Sequence, residues 1–309
     1  MKHSRHTIQT YSQVDRIPSG HATDSVTPGC IVLEGGAFRG LYSQGVLDAL
    51  MENGLNFACT IGTSAGALAG FNYVAGQIGR SARANLTCRH HPDYVGRGAL
   101  LHAHSPIRLD FLFEDYNAVE PFDEAAFRSP GRRYVAVATD CTTGRPAYFE
   151  KGKCKDIFSA IKASASMPYI SPMIDVDGTP CLDGGCSCKI PYRWALDEGF
   201  DRIVVVRTRE PEYRKKVSKR RHRFSAYGRY PGFAASLANS NRDYNRQCDE
   251  IQKLEKEGRI FVIAPSAKVT VGRLEGDMEK LGDLYWLGYN DTISLLDPLR
   301  RYLDLQQKG

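Results

Sequence analysis

The stretch from Phe57 to Gly66, Phe-Ala-Cys-Thr-Ile-Gly-Thr-Ser-Ala-Gly, constrains this chain more than any other. Residues 57–61 form an apolar run long enough for a short buried strand. Ala65 to Ala75 predicts a helix of small and apolar residues. Between them, Gly62 to Gly66 has the pattern G-x-S-x-G, a sharp strand-to-helix turn that presents a serine hydroxyl. Gly62 and Gly66 leave room for a strained backbone and for close approach of helix to strand. Ser64 then lies at a helix N-terminus, where partial positive charge favours developing negative charge. The five-residue pattern also recurs by chance, and its strand and helix context gives it weight here. Residues 53–79 carry no charge and are long enough for a membrane span. Asn56, Thr60, Thr63, Ser64, Asn72 and Gln77 interrupt the apolar run, so a buried strand plus a buried helix is the better reading.

The segment before it repeats the same order. Cys30-Ile31-Val32-Leu33 predicts a strand, Glu34 to Gly40 a glycine-rich turn, and Leu41, Gly45, Val46, Ala49 and Leu50 one face of a helix that Asn53-Gly54 stops. Two strand–turn–helix units in a row imply an α/β fold with a parallel sheet. The turn Gly35-Gly36-Ala37-Phe38-Arg39-Gly40 has three readings. A dinucleotide fingerprint needs glycine where Ala37 stands, and a phosphate loop needs a Gly-Lys-Ser/Thr ending. The third is an oxyanion hole, in which successive amides at a helix N-terminus converge on one oxygen, with Arg39 adding charge or fixing the loop. The neighbouring serine turn favours the third.

Downstream, Arg108 to Tyr116 predicts a short helix lining one side of the site. Arg133 to Thr139 and Pro146 to Glu150 predict strands, and Asp156 caps a helix to Ser166 that Met167-Pro168 ends. Asp177-Gly178 predicts a hairpin turn whose second strand runs into Asp183-Gly184-Gly185. Asp183 is thus an acid at a strand end, though Asp-Gly is also a plain turn dipeptide. Arg202 to Thr208 predicts a buried strand, Phe233 to Lys256 a helix, Arg259 to Ala264 a last strand, and Leu284 to Leu296 an amphipathic helix. Asp297-Pro298 is expected to start a separate final helix.

No metal site is expected. Cys181, Cys186 and Cys188 lack paired C-x-x-C spacing, and His3, His6, His21, His90, His91, His102 and His104 lack ligand-spaced partners. The nine cysteines and a polar start without an apolar signal region predict reduced thiols in the cytoplasm. Residues 1–28 are polar and predict a loosely attached tail, and 29–309 a single domain. The net charge of +6 permits an acidic partner without requiring one. Its densest part is Arg214-Lys215-Lys216 with Lys219 to Arg223, followed by Tyr227, Tyr230 and Phe233. This is either a solvated loop or a contact with anionic lipid head groups. Nucleic acid is the poorer fit, because no module pattern accompanies the charge.

A serine nucleophile needs a base, and the tetrahedral intermediate needs donors. The sequence supplies Ser64, the Gly35–Gly40 loop and Asp183. After Asp183 the one histidine is His222, inside the basic run, a poor place for a positioned base. At these motifs, the loop, Gly62 to Gly66 and Asp183-Gly184-Gly185 in that order, the chain resembles the patatin-like phospholipases, and its carboxy-terminal third looks most like bacterial members. Ala163 to Pro168 resembles the family's helix-to-proline segment. The resemblance covers about residues 30–210. It departs at Ala37, which stands for the family's third loop glycine and restricts the backbone there.

The resemblance implies a three-layer α/β/α fold with a mostly parallel central sheet. It also implies hydrolysis of lipid acyl esters through a Ser64–Asp183 dyad, with Gly35, Gly36, Ala37 and Arg39 at the oxyanion hole. Gly40, Gly62, Gly66, Gly184 and Gly185 support the motifs, and no metal or organic cofactor is implied. Two alternatives stay open: an esterase with a Ser64, Asp183 and His222 triad, and a non-catalytic membrane-associated protein.

Overall fold

A computed structural model describes residues 9–96, 99, 107–217 and 226–304. His3, His6, His102, His104, His222 and the Lys219 to Arg223 half of the basic run lie outside the described residues. The strands are β1 (Gly20–His21), β2 (Thr27–Leu33), β3 (Phe57–Thr63), β4 (Gln77–Ile78), β5 (Arg133–Asp140), β6 (Pro146–Glu150), β7 (Ile174–Val176), β8 (Thr179–Asp183), β9 (Ile203–Val206) and β10 (Phe261–Ile263). The helices are α1 (Gly40–Glu52), α2 (Ala65–Val74), α3 (Arg80–Cys88), α4 (Asp110–Phe113), α5 (Glu124–Arg128), α6 (Ile157–Ser164), α7 (Tyr192–Asp197), α8 (Pro231–Lys256) and α9 (Met278–Tyr302).

The central sheet has the order β10-β9-β2-β3-β5-β8-β7, with β6 also on β5. The run from β10 to β5 is parallel, and β6, β8 and β7 are antiparallel additions. Because side chains alternate along a strand, each central strand buries both faces. Ile31 and Leu33 of β2 pack with α1 and α9, whereas Cys30 and Val32 pack with Tyr192 of α7 and Tyr244, Cys248 and Ile251 of α8. The result is the expected three-layer α/β/α arrangement.

One strand edge positions the site. Along one edge of β5, β3 is paired up to Thr63 opposite Val137, and β8, running the other way, takes over with Asp183 opposite Ala138. The ends of β3 and β8 therefore meet head to head. The β7–β8 hairpin that delivers Asp183 turns at Asp177 (φ 53°) and Gly178 (φ 82°), the two left-handed residues of a type I′ turn.

The outer layer on the α1 side is tied by close backbone contact. A Cβ on Gly45 of α1 would lie 2.0 Å from the Tyr285 carbonyl oxygen, and one on Gly288 of α9 would lie 2.1 Å from that of Tyr42. Reciprocal bonds flank this seam: the Tyr285 hydroxyl donates to Asp48 at 2.9 Å and the Tyr42 hydroxyl to Asp291 at 3.0 Å. Burial pushes the Asp48 carboxyl up to about 7.

Two expectations are corrected. Residues 9–28 are not a loose tail. Tyr11 and Ile17 are buried, the Tyr11 amide donates to the Leu86 carbonyl, and β1 pairs with β4. Tyr11 fits because position 282 is glycine, where a Cβ would collide with its ring at 2.1 Å. Pro298 does not start a new helix, since α9 runs through it. Burial of Leu296 and Leu299 on either side holds the helix against the core and offsets the missing N–H.

Candidate active site

Ser64 stands at the junction of β3 and α2 with φ 55° and ψ −120°, a backbone that a side chain rarely adopts. The strain persists because its surroundings fix it. The Ser64 amide donates to Ser164 Oγ at 2.8 Å, and Ser164 Oγ donates to the Val137 carbonyl at 2.6 Å. The turn is also close-packed. A Cβ on Gly62 would meet the Gly66 carbonyl at 2.5 Å, and one on Gly66 would meet the Leu33 carbonyl at the same distance. Glycine is required at both positions by the approach of α2 to the strands.

Asp183 closes the other half. The Ser64 hydroxyl donates to Asp183 Oδ2 at 2.8 Å, and the Gly185 amide donates to Oδ1 at 2.7 Å. The Asp183 backbone is fixed by the Thr139 hydroxyl, which donates to its carbonyl at 2.9 Å. Gly184 packs on Val137, where a Cβ would come within 2.1 Å of the carbonyl oxygen. Burial raises the Asp183 carboxyl above its ordinary range, against the lowering effect of the Ser64 and Gly185 hydrogen bonds and of Lys189 and Arg273. Among the described residues no imidazole stands between serine and carboxylate.

The glycine-rich loop arches beside Ser64. A Cβ on Gly35 would touch Thr63 and Ser64, one on Gly36 Thr208, and one on Gly40 Ala65. The Gly35 amide is already engaged, donating to the Lys189 carbonyl at 3.1 Å. The Phe38 amide donates to the Arg273 carbonyl at 3.3 Å and that of Arg39 to Gly36 at 3.2 Å. The Gly36 and Ala37 amides have no such acceptor among the described residues. Of the expected oxyanion group, Gly35 thus has no free amide. Ala37 adopts φ 51°, the left-handed conformation that its glycine counterpart takes without strain. Glu34, buried behind the loop, accepts from the Thr208 amide at 2.8 Å.

Two cavities open from the same point, and both are lined by Ala37, Ser64 and Met167. One is a slot of about 70 Å³ walled by Phe38, Leu41, Leu68, Phe71, Ile107 and Leu112, which runs past α2. Leu109 and Leu112 come from the segment expected to line the site, of which only Asp110–Phe113 is α-helical. The other is a groove of about 520 Å³ on the Asp183 side, bordered by Arg39, Lys189, Lys215 and Arg273. Lys189 donates to the Gly185 and Ser240 carbonyls, and Lys215 lies over the Tyr244 ring at 4.5 Å.

Sequence reasoning missed Ser164, Lys189 and Arg273 as parts of this site. Lys189 follows the Asp183 motif by six residues, and Ser164 lies in the helix-to-proline segment; nothing around Arg273 singles it out.

The basic run and its aromatics are placed differently from expectation. Arg214 is paired with Asp249 at 2.7 Å, and Lys215 faces the groove. Phe233 is fully buried against Tyr227, so it has no place at a lipid interface. The Tyr169 amide donates to the Tyr227 hydroxyl at 2.7 Å. His90 bonds the Gly276 carbonyl and His91 packs on Phe111, both away from Ser64. All nine cysteines are free thiols, and among the described residues no three His, Cys, Asp or Glu side chains are grouped to hold a metal. Among the described residues no helix is long and apolar enough to cross a membrane.

The chain is similar to the uncharacterized Escherichia coli protein YjjU, 27% identical over 265 residues, covering 84% of this chain and 74% of that one. It is similar to an uncharacterized NTE family protein of Mycobacterium bovis, 26% identical over 176 residues, 57% of this chain and 48% of the relative. The chain thus spans about half the length of that mycobacterial relative. Among solved structures, VipD from Legionella pneumophila aligns over 96% of this chain and 72% of its own, at 14% identity and a TM-score of 0.47. A model of a domain of unknown function, DUF6363, matches residues 230–304, the stretch of α8 and α9. A patatin-like phospholipase model matches residues 31–196, more than half of the chain and all of the segment that carries the glycine-rich loop, the Ser64 turn and Asp183. This chain belongs to the patatin-like phospholipase family, a family of lipid hydrolases.

Proposed function

We propose that the protein is a serine acyl hydrolase that cleaves lipid acyl esters, with Ser64 as nucleophile and Asp183 as its base. The observation that carries this reading is the direct 2.8 Å bond from the Ser64 hydroxyl to Asp183 Oδ2 at a strained helix N-terminus. Asp183 takes the hydroxyl proton as Ser64 Oγ attacks the ester carbonyl carbon. The developing oxyanion is met by the Gly36 and Ala37 amides, whose bonds are not otherwise taken, with the α2 dipole in support. Collapse of the intermediate breaks the ester C–O bond, and the proton on Asp183 passes to the departing alcohol. A water then gives a proton to Asp183 and attacks the acyl-enzyme. When the second intermediate collapses, Ser64 Oγ leaves and recovers that proton.

The apolar slot suits an acyl chain, and the polar groove suits the alcohol portion. Tyr169, Ile170 and Leu274 are exposed at the groove and form an apolar rim for contact with a lipid surface. A peripheral encounter with membrane from the cytoplasm fits this rim. A fluorophosphonate probe should label the wild type and not Ser64→Ala, and Ser64→Ala should lose ester hydrolysis by about 10³-fold or more. Equal labelling of both proteins would overturn the assignment.

A further inference from the structure

We propose that the groove beside Asp183 is a subsite for a phosphate-bearing alcohol moiety, in which Lys189, Lys215 and Arg273 recognise the anion alongside Arg39. The protein then selects acyl esters whose head group is net negative over zwitterionic or uncharged ones. This rests on the hydrolase reading for where the ester lies.

The first observation is an imbalance of charge. Four cationic side chains border the groove, and its one lining carboxylate among the described residues, Asp183, is already engaged by Ser64 and Gly185. Glu34, behind the loop, holds the Thr208 amide. None of the four cations is within ion-pair distance of a carboxylate among the described residues. The second is Arg39 itself. It is 7% exposed, and its Nε is buried without a hydrogen-bond partner among the described residues. A buried cation short of acceptors is costly, and an anion in the groove beside it offsets that charge.

The cations also repel one another. Burial, and then Lys189 and Arg273, push Lys215 down to about 7, with Glu34 opposing and Arg39 adding to the effect. Lys189 is lowered by burial, and Arg39 falls to about 10 through burial and the charges of Arg209 and Arg273. A phosphate entering among them reverses the repulsion and draws a proton onto Lys215. A choline or ethanolamine ammonium would meet the same positive wall, so a zwitterion loses part of what its phosphate gains.

The position favours the alcohol side of the ester. The groove and the apolar slot meet at Ser64, so an acyl chain in the slot directs the leaving group toward Lys189 and Arg273. Ser240 and Asn241 line the groove as further polar contacts, and its volume of about 520 Å³ admits a glycerol phosphate unit.

The test uses water-soluble dihexanoyl esters below their aggregation limit, so that surface charge of a bilayer plays no part. Wild type should favour dihexanoyl phosphatidate over dihexanoyl phosphatidylcholine in kcat/KM by about tenfold or more, as expected for close, partly buried charge pairs. Arg273→Met and Lys215→Met should each reduce that ratio about tenfold, and the ratio cancels any shared loss in the serine chemistry. Arg273 is exposed, so its substitution does not threaten folding.

In calorimetry, Ser64→Ala should bind dihexanoyl phosphatidate more tightly than dihexanoylglycerol, with proton uptake when the pH is above about 7. Inorganic phosphate should compete, more weakly than the ester. A wild-type ratio near one, ratios unchanged in both variants, or equal binding of the two ligands would overturn the subsite. Tight anion binding with no turnover or probe labelling would instead overturn the hydrolase reading and leave the anion site standing.

Discussion

The Ser64 amide and the Ser164 hydroxyl are joined at 2.8 Å across one hundred residues of sequence, and the Ser164 hydroxyl in turn donates a hydrogen bond to the Val137 carbonyl at 2.6 Å. One hydroxyl thus ties the strained turn to the middle of β5. Ser164→Ala leaves both the amide and the carbonyl buried without a partner. The expected cost is about 1–3 kcal/mol of stability, read as a lower midpoint in urea. Ser64 should also lose reactivity toward a fluorophosphonate, because its backbone is no longer pinned. Ser164→Thr, which retains the hydroxyl, should restore part of both.

Asp183 sets a pH dependence. Its carboxyl is raised by burial, and only the ionised form can accept the Ser64 proton. Activity on an uncharged ester should therefore fall with acidification at an apparent pKa above the ordinary carboxylate value of about 4. A raised folded-state pKa means the folded protein holds this proton more tightly than the unfolded chain. That contribution to stability is lost as pH rises through the folded value. Asp183→Asn should accordingly be no less stable than wild type at neutral pH while losing hydrolysis almost as completely as Ser64→Ala. Hydrolysis that is flat down to the ordinary carboxylate range would contradict this.

Ala37 carries left-handed strain that glycine would not. Ala37→Gly should raise the unfolding midpoint by an amount equivalent to about 1 kcal/mol or less, because the relief of strain is partly offset by the greater freedom of glycine in the unfolded chain. Thermal unfolding of the two proteins measures it, and a lowered midpoint would show that the alanine methyl group contributes packing that outweighs its strain.

The N-terminal segment contributes to the core. Tyr11→Ala should cost about 3–5 kcal/mol, as for other buried aromatic truncations. Gly282→Ala should be destabilising as well, since its new methyl group would occupy the Tyr11 ring position. In Tyr11→Ala the Gly282→Ala change should cost much less, so a double-mutant cycle by denaturant unfolding should give a large coupling.

What the sequence determined by itself is the part of the site that depends on backbone geometry. The turn at Ser64 needs glycines at 62 and 66, because the Gly66 and Leu33 carbonyls leave no room for a Cβ, and such a requirement leaves a local pattern. The Asp183 motif, the loop before α1 and the two strand–turn–helix units are legible for the same reason. The cationic groove is not. Lys189, Lys215 and Arg273 come from three separated segments, and each is an ordinary basic residue in its own stretch of chain. Only the fold brings them beside Arg39.

Tertiary packing also overrode two local signals. The residue before a proline disfavours the helical region, so the sequence predicts a break at Asp297. Yet α9 continues because Leu296 and Leu299 are anchored in the core. Residues 9–28 are polar enough to predict a loose tail, but two apolar side chains, Tyr11 and Ile17, suffice to dock them. What decides it is the missing side chain at Gly282, a vacancy 271 positions away from Tyr11 that no local pattern announces.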